Sequence, residues 1–183
     1  MGISWGRIAI LALASPALVA MQAPLQGPPQ IGQSPAPAGI SVEYFSWGYL
    51  TASWRVSQNG DGEVREVEYI NGFGNNYDVR VRRFHAGPEG FARLRALMEP
   101  VRRFAAARRE YDCRRYIADG PYGTLRWNIP GATGTFPLTY GCMSAQARRL
   151  FAPVGQMAEL VQQWVRPASV EVQQNRQASP GQG

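Results

Sequence analysis

Three stretches of alternating apolar and polar residues, each folding back across a turn rich in glycine, asparagine or proline, constrain this chain more than any other feature. Leu50, Ala52, Trp54 and Val56 alternate with Thr51, Ser53, Arg55 and Ser57, the pattern of a strand with one buried face. Asn59-Gly60-Asp61-Gly62 follows, residue types that tolerate a positive φ. A turn centred on Gly60-Asp61 sets Trp54 opposite Val67 and Ala52 opposite Tyr69. A second hairpin turns through Gly72-Phe73-Gly74-Asn75-Asn76. Val67 opposite Val81 and Tyr69 opposite Val79 then bring Glu66 against Arg82 and Glu68 against Arg80, so one register satisfies the apolar and charged pairs together. The third hairpin turns through Gly131-Ala132-Thr133-Gly134, with Ile129 facing Phe136, Trp127 facing Leu138 and Leu125 facing Tyr140. Pro137 lacks an N–H, which assigns its strand to a sheet edge or a bulge. One more strand, residues 40–47, precedes these.

Two helical segments punctuate the strands. Residues 88–104 carry Phe91, Leu94, Met98 and Val101 on one stripe, which Ala105 extends, with the arginines off it. Pro88 suits a first helical turn, and Pro100 predicts a kink or break. Residues 144–165 carry Leu150, Phe151, Val154, Met157, Ala158, Val161 and Trp164 on one stripe, with Ser144 as N-cap and Pro153 as a second kink. The order ββββαββα implies an α+β fold: an antiparallel sheet of about six strands with two helices packed on one face.

The ends of the chain read differently. Residues 1–20 resemble a secretory signal peptide: Arg7 is the positive start, residues 8–14 are apolar, and Ser15-Pro16 breaks the stretch. Cleavage is expected after Ala20, with Ala17 and Ala23 as alternatives. The apolar run is too short for a stable membrane span, and no cysteine stands near the cut to take a lipid. Residues 21–38 are a spacer rich in Pro, Gly and Gln, residues 39–166 a single domain, and residues 167–183 a tail expected to be disordered. Export to the periplasm or medium places the chain where cysteines pair. Cys113 and Cys142, 29 residues apart, are therefore expected to form a disulfide. Closing that loop stabilises a fold by about 3–4 kcal/mol in the chain-entropy model, and it tethers the long connection over residues 105–122.

Net charge is +6, and all 19 basic residues are arginine. Arginine's fork suits phosphate and carboxylate, yet its pairs are scattered and not interleaved with aromatics, which argues against a nucleic-acid groove. One histidine and two cysteines leave no zinc set. No phosphate loop, G-x-S-x-G or calcium loop occurs, and no cofactor is expected. His85 sits at a strand–helix junction, the setting of an ordinary loop histidine. Glu66 and Glu68 beside arginines suit a solvated ladder better than acid catalysis. No catalytic residue is assigned.

One cluster does not fit core packing alone. Tyr44-Phe45-Ser46-Trp47-Gly48-Tyr49 carries four aromatics. If Val42 and Tyr44 face the core, Phe45 and Trp47 face outward, and exposed aromatics mark binding surfaces. Phe45, Trp47 and Tyr49, with the strand arginines Arg80 and Arg82, form the expected surface. The strand Ile40-Ser41-Val42-Glu43, the turn Asn59-Gly60-Asp61-Gly62-Glu63-Val64, the helix over 91–101, Tyr140-Gly141-Cys142 and the closing Leu160-Val161-Gln162-Gln163-Trp164-Val165 together resemble a family of small exported bacterial domains of unknown function. Many members of that family carry a cysteine pair after the first strand, absent from Phe45 to Tyr49 here. The resemblance implies fold and location and brings no activity with it. The chain thus reads as a secreted or periplasmic non-enzymatic module binding a protein or an anionic envelope component. The alternatives are a small envelope hydrolase, or an inhibitor presenting the aromatic loop to a secreted enzyme.

Overall fold

The computed structural model describes residues 38–175 except Asn75 and residues 108–110. The expected signal peptide, the expected spacer up to residue 37 and the expected tail from residue 176 on lie outside the described residues. Seven antiparallel strands form one sheet: β1 (Gly39–Ser46), β2 (Tyr49–Ser57), β3 (Asp61–Tyr69), β4 (Tyr77–His85), β5 (Tyr122–Ile129), β6 (Ala132–Thr139) and β7 (Glu171–Asn175). Their spatial order is β6-β5-β1-β2-β3-β4-β7. Helix α1 (Gly87–Ala106) joins β4 to β5, and α2 (Ala145–Val165) follows β6. The α+β class holds. The seventh strand comes from the tail expected to be disordered: residues 171–175 pair along β4, although every one of their side chains is exposed.

Both helices bury their apolar stripes against one sheet face. Leu94, Met98 and Val101 of α1 and Val154, Met157 and Val161 of α2 meet Ile40, Val42, Trp54, Leu125 and Leu138 of the sheet, all at most a few per cent exposed. Each such side chain contributes roughly 1.5–3 kcal/mol of transfer free energy. This explains why neither helix splits at its internal proline. Met98 and Val101 flank Pro100, while Phe151 and Val154 flank Pro153, and burial on both sides outweighs the roughly 3 kcal/mol that a helix-interior proline costs. Ser144 caps α2, its hydroxyl accepting from the Ala147 N–H at 3.0 Å.

All three hairpin registers differ from the sequence reading, for local reasons. Trp54 pairs with Val64, not Val67, and Ala52 with Glu66, not Tyr69. The turn is shorter than expected: the Gly60 N–H donates to Ser57 O at 2.9 Å, with Gly60 at φ 90°. An odd slip exchanges the faces, so Val64 meets the helices and Val67 turns away from them. There Val67 and Tyr69 join Tyr77, Val79 and Val81 in a second, smaller core on the helix-free face. In the next hairpin Val67 pairs with Val79 and Tyr69 with Tyr77. This slip of two keeps the faces, and the expected ion pairs survive diagonally: Arg80–Glu68 at 2.6 Å and Arg82–Glu66 at 3.2 Å. In the third, Leu125 pairs with Phe136 and Ile129 with Ala132, because Pro130-Gly131, with Gly131 at φ 77°, closes a two-residue turn. Pro137 lies in β6, an edge strand, as its missing N–H requires.

Cys113 and Cys142 are bonded, with Cα atoms 5.4 Å apart. Around them the Ile117 N–H donates to Gly141 O and the Met143 N–H to Arg115 O, both at 2.9 Å. The connection before β5 is thus laced to the end of β6. Among the described residues no helix is long and apolar enough to cross a membrane.

Candidate functional site: an aromatic rim at one end of the sheet

The β1–β2 connection is the tightest available, two residues between the paired Ser46 and Tyr49. Trp47 has φ 52° and Gly48 φ 85°, both in the left-handed region, as a type I′ turn demands. Asn-Gly is the favoured sequence there, because asparagine tolerates that conformation. Tryptophan does not, and a bulky residue so placed costs about 1 kcal/mol or more. Asn71, at φ 60° in the β3–β4 turn, shows the ordinary solution. Trp47 does not recover its strain by packing, since it is 67% exposed.

The pairing pattern brings other apolar groups to the same end. Tyr69 is directly opposite Tyr77 and packs edge-on to Tyr49 at 5.4 Å, so the β3–β4 turn with Ile70 and Phe73 lies beside the β1–β2 turn. Phe73 stacks on Tyr49 at 4.9 Å. On the other flank Phe45 pairs with Tyr122 at the start of β5, and their rings stack at 5.7 Å. Beyond them Tyr116 bridges to Cys142, carrying Ile117 and Met143 to that edge. Nine large apolar side chains are exposed among the described residues, and seven of them — Trp47, Ile70, Phe73, Tyr116, Ile117, Tyr122 and Met143 — belong to this end; Val170 and Val172 do not. The row crosses six strands, about 24 Å at the ordinary strand spacing. The opposite end carries the Asn59-Gly60-Asp61-Gly62 and Pro130-Gly131 turns.

Of the residues expected at a binding surface, Phe45, Trp47 and Tyr49 converge on the rim. Arg80 and Arg82 do not. Arg82 stands opposite Val64 on the helix-bearing face, and both arginines are engaged by Glu68 and Glu66. Sequence reasoning missed Ile70, Phe73, Tyr116, Ile117, Tyr122 and Met143. Tyr122 reaches Phe45 only because β1 pairs with β5, a contact with no local signal.

The remaining polar clusters are structural in form. Glu63, the one buried charged side chain among the described residues, faces away from the helices and meets Arg65 at 3.1 Å, Arg83 at 3.3 Å and Arg55 at 3.4 Å. Arg83 also holds Glu171 of β7 at 2.6 Å. His85 Nδ1 lies 2.7 Å from Asp61 Oδ1, and the bond from His85 and a second from Asn59 lower the Asp61 pKa. The hydroxyl of this network, Ser57, joins it at Asn59 and the Asp61 carbonyl, not at the imidazole, so the group is not arranged as a nucleophile and its base. Burial pushes the Tyr44 and Tyr140 hydroxyls up, so both stay protonated well above neutral pH. No three His, Cys, Asp or Glu among the described residues stand together as a metal set. In comparisons with known proteins, no family model matches this chain, and neither a curated protein nor a solved structure matches it.

Proposed function

We propose that this chain is an exported, non-enzymatic interaction module that engages a protein partner or an anionic envelope component through the aromatic rim. The observation that carries the reading is Trp47, an exposed indole held in a backbone conformation that disfavours it. Strain without compensating burial is retained where it serves binding, and tryptophan and tyrosine dominate binding energetics where they are exposed together. The Cys113–Cys142 bond supports the export part of the reading, because such bonds persist in oxidising compartments. The two-residue turn, flanked by its neighbours, makes a broad rim and not the long protruding loop that an inhibitor inserts into a cleft.

The test is retention from an envelope extract on immobilised protein, wild type against Trp47→Asn. Asparagine keeps the turn and removes the ring. The expected result is a ligand retained by wild type and lost from the variant. Equal retention by both, or none by wild type, contradicts the reading.

A further inference from the structure

We propose that the rim seats on a lipid bilayer bearing anionic headgroups, with Trp47 and the Tyr116-Ile117 tip entering the boundary between headgroups and acyl chains. The inference rests on the rim being the binding surface and names what it binds.

The shape favours a fluid partner. The exposed apolar groups stand on separate tips: Trp47 on one turn, Phe73 on the next, Tyr116 and Ile117 on the laced connection, Met143 ahead of α2. Between the tips lie turn residues such as Gly48 and Asn71. A rigid protein needs a matching pocket for each tip over some 24 Å, whereas lipid moulds around them all. The residue types agree, since tryptophan and tyrosine settle at the level of the headgroups.

Charge favours an anionic surface. Arg115 adjoins the Tyr116-Ile117 tip, and Arg148 and Arg149 lie in the opening turns of α2, whose first turn has no acidic residue. All three are exposed, and none makes an ion pair among the described residues. Arg80, Arg82, Arg83, Arg102 and Arg126 are by contrast held by carboxylates. Nearby, Asp112 is taken by Arg114 at 3.2 Å, and Asp119 offsets one positive charge. No Asp or Glu then occurs until Glu159, so the described residues of this edge are net positive. Basic residues beside interfacial aromatics draw a protein onto anionic lipid. Strand β1 begins at the far end, so the chain enters the fold away from the rim.

The test is co-sedimentation of the exported protein with phosphatidylglycerol–phosphatidylcholine vesicles and with phosphatidylcholine alone, alongside tryptophan emission. Wild type is expected to bind the mixed vesicles with an emission shift to shorter wavelength. Trp47→Asn is expected to bind about tenfold more weakly, a change of about one decade in partition, and to lose the shift while its thermal midpoint stays at or above that of wild type. Any leader remaining on the chain is common to both. The triple variant Arg115→Gln, Arg148→Gln, Arg149→Gln is expected to lose the preference for phosphatidylglycerol. Absence of wild-type binding, or equal binding by Trp47→Asn, overturns the proposal, and equal binding to phosphatidylcholine overturns its anionic part. If vesicles fail while lipid-free envelope protein is retained through Trp47, the rim binds protein, and the broader reading stands without this one. Trp47-dependent self-association without vesicles assigns the rim to a second copy and likewise overturns it. Failure of both assays removes the two readings together.

Discussion

Glu99 shows how this chain uses arginine. Arg102 reaches it with Nε at 2.7 Å and Nη2 at 2.8 Å, and Arg103 with Nε at 2.9 Å. The hydrogen bonds from Arg102 first, then those from Arg103, hold its carboxyl down to about 2. A carboxyl lowered in the folded state adds stability that is present above its unfolded value near 4.5 and is lost as pH falls through the folded one. Unfolding midpoints measured at pH 5 and pH 2.5 are expected to fall less for Glu99→Gln than for wild type; equal falls would show that the fork does not act on folding. Much at this scale was legible in the sequence. The Glu66–Arg82 and Glu68–Arg80 pairs, the Ser144 cap and the bonded cysteines follow from residue type and spacing. Glu63 did not announce itself, because Arg55, Arg65 and Arg83 come to it from two neighbouring strands and from its own.

At the scale of elements, patterning identified six strands and both helices, while the registers escaped. Alternation fixes which residues share a face but not how far a strand slides, and an even slide leaves every face unchanged. The β2–β3 pairing slipped by an odd number because Ser57 and Gly60 close a tighter turn than glycine content alone implies. The assumption of one core hid the second, where Val67 meets Val79 and Val81 on the other side of the sheet. Strand β7 was invisible for a related reason. Its residues Glu171-Val172-Gln173-Gln174-Asn175 bury no side chain, so no hydrophobic pattern marks it, and it is held by backbone pairing to β4 and by Glu171 on Arg83. Ending the chain at Val170 is expected to lower the unfolding free energy by about 1–3 kcal/mol, the scale of a few net hydrogen bonds. It also bares the β4 edge, so concentration-dependent association should rise. Urea unfolding and sedimentation check both effects, and an unchanged midpoint would show that β7 adds nothing to the fold.

The whole molecule is asymmetric along its strands. One end gathers polar turns and the His85–Asp61 pair, and the other gathers seven of the nine exposed large apolar groups among the described residues. Phe45, Trp47 and Tyr49 were legible in the sequence as a local cluster. The rim itself needed the strand order, since Tyr122 lies far from Phe45 in sequence and Phe73 reaches the β1–β2 connection by stacking on Tyr49. The central claim is that Trp47 occupies its turn for a purpose outside folding. The most direct test is the unfolding free energy of Trp47→Asn in urea. The account predicts a gain of about 1 kcal/mol as the left-handed position receives the residue it favours. A loss of similar size would mean that the indole supports the fold, and would contradict the account.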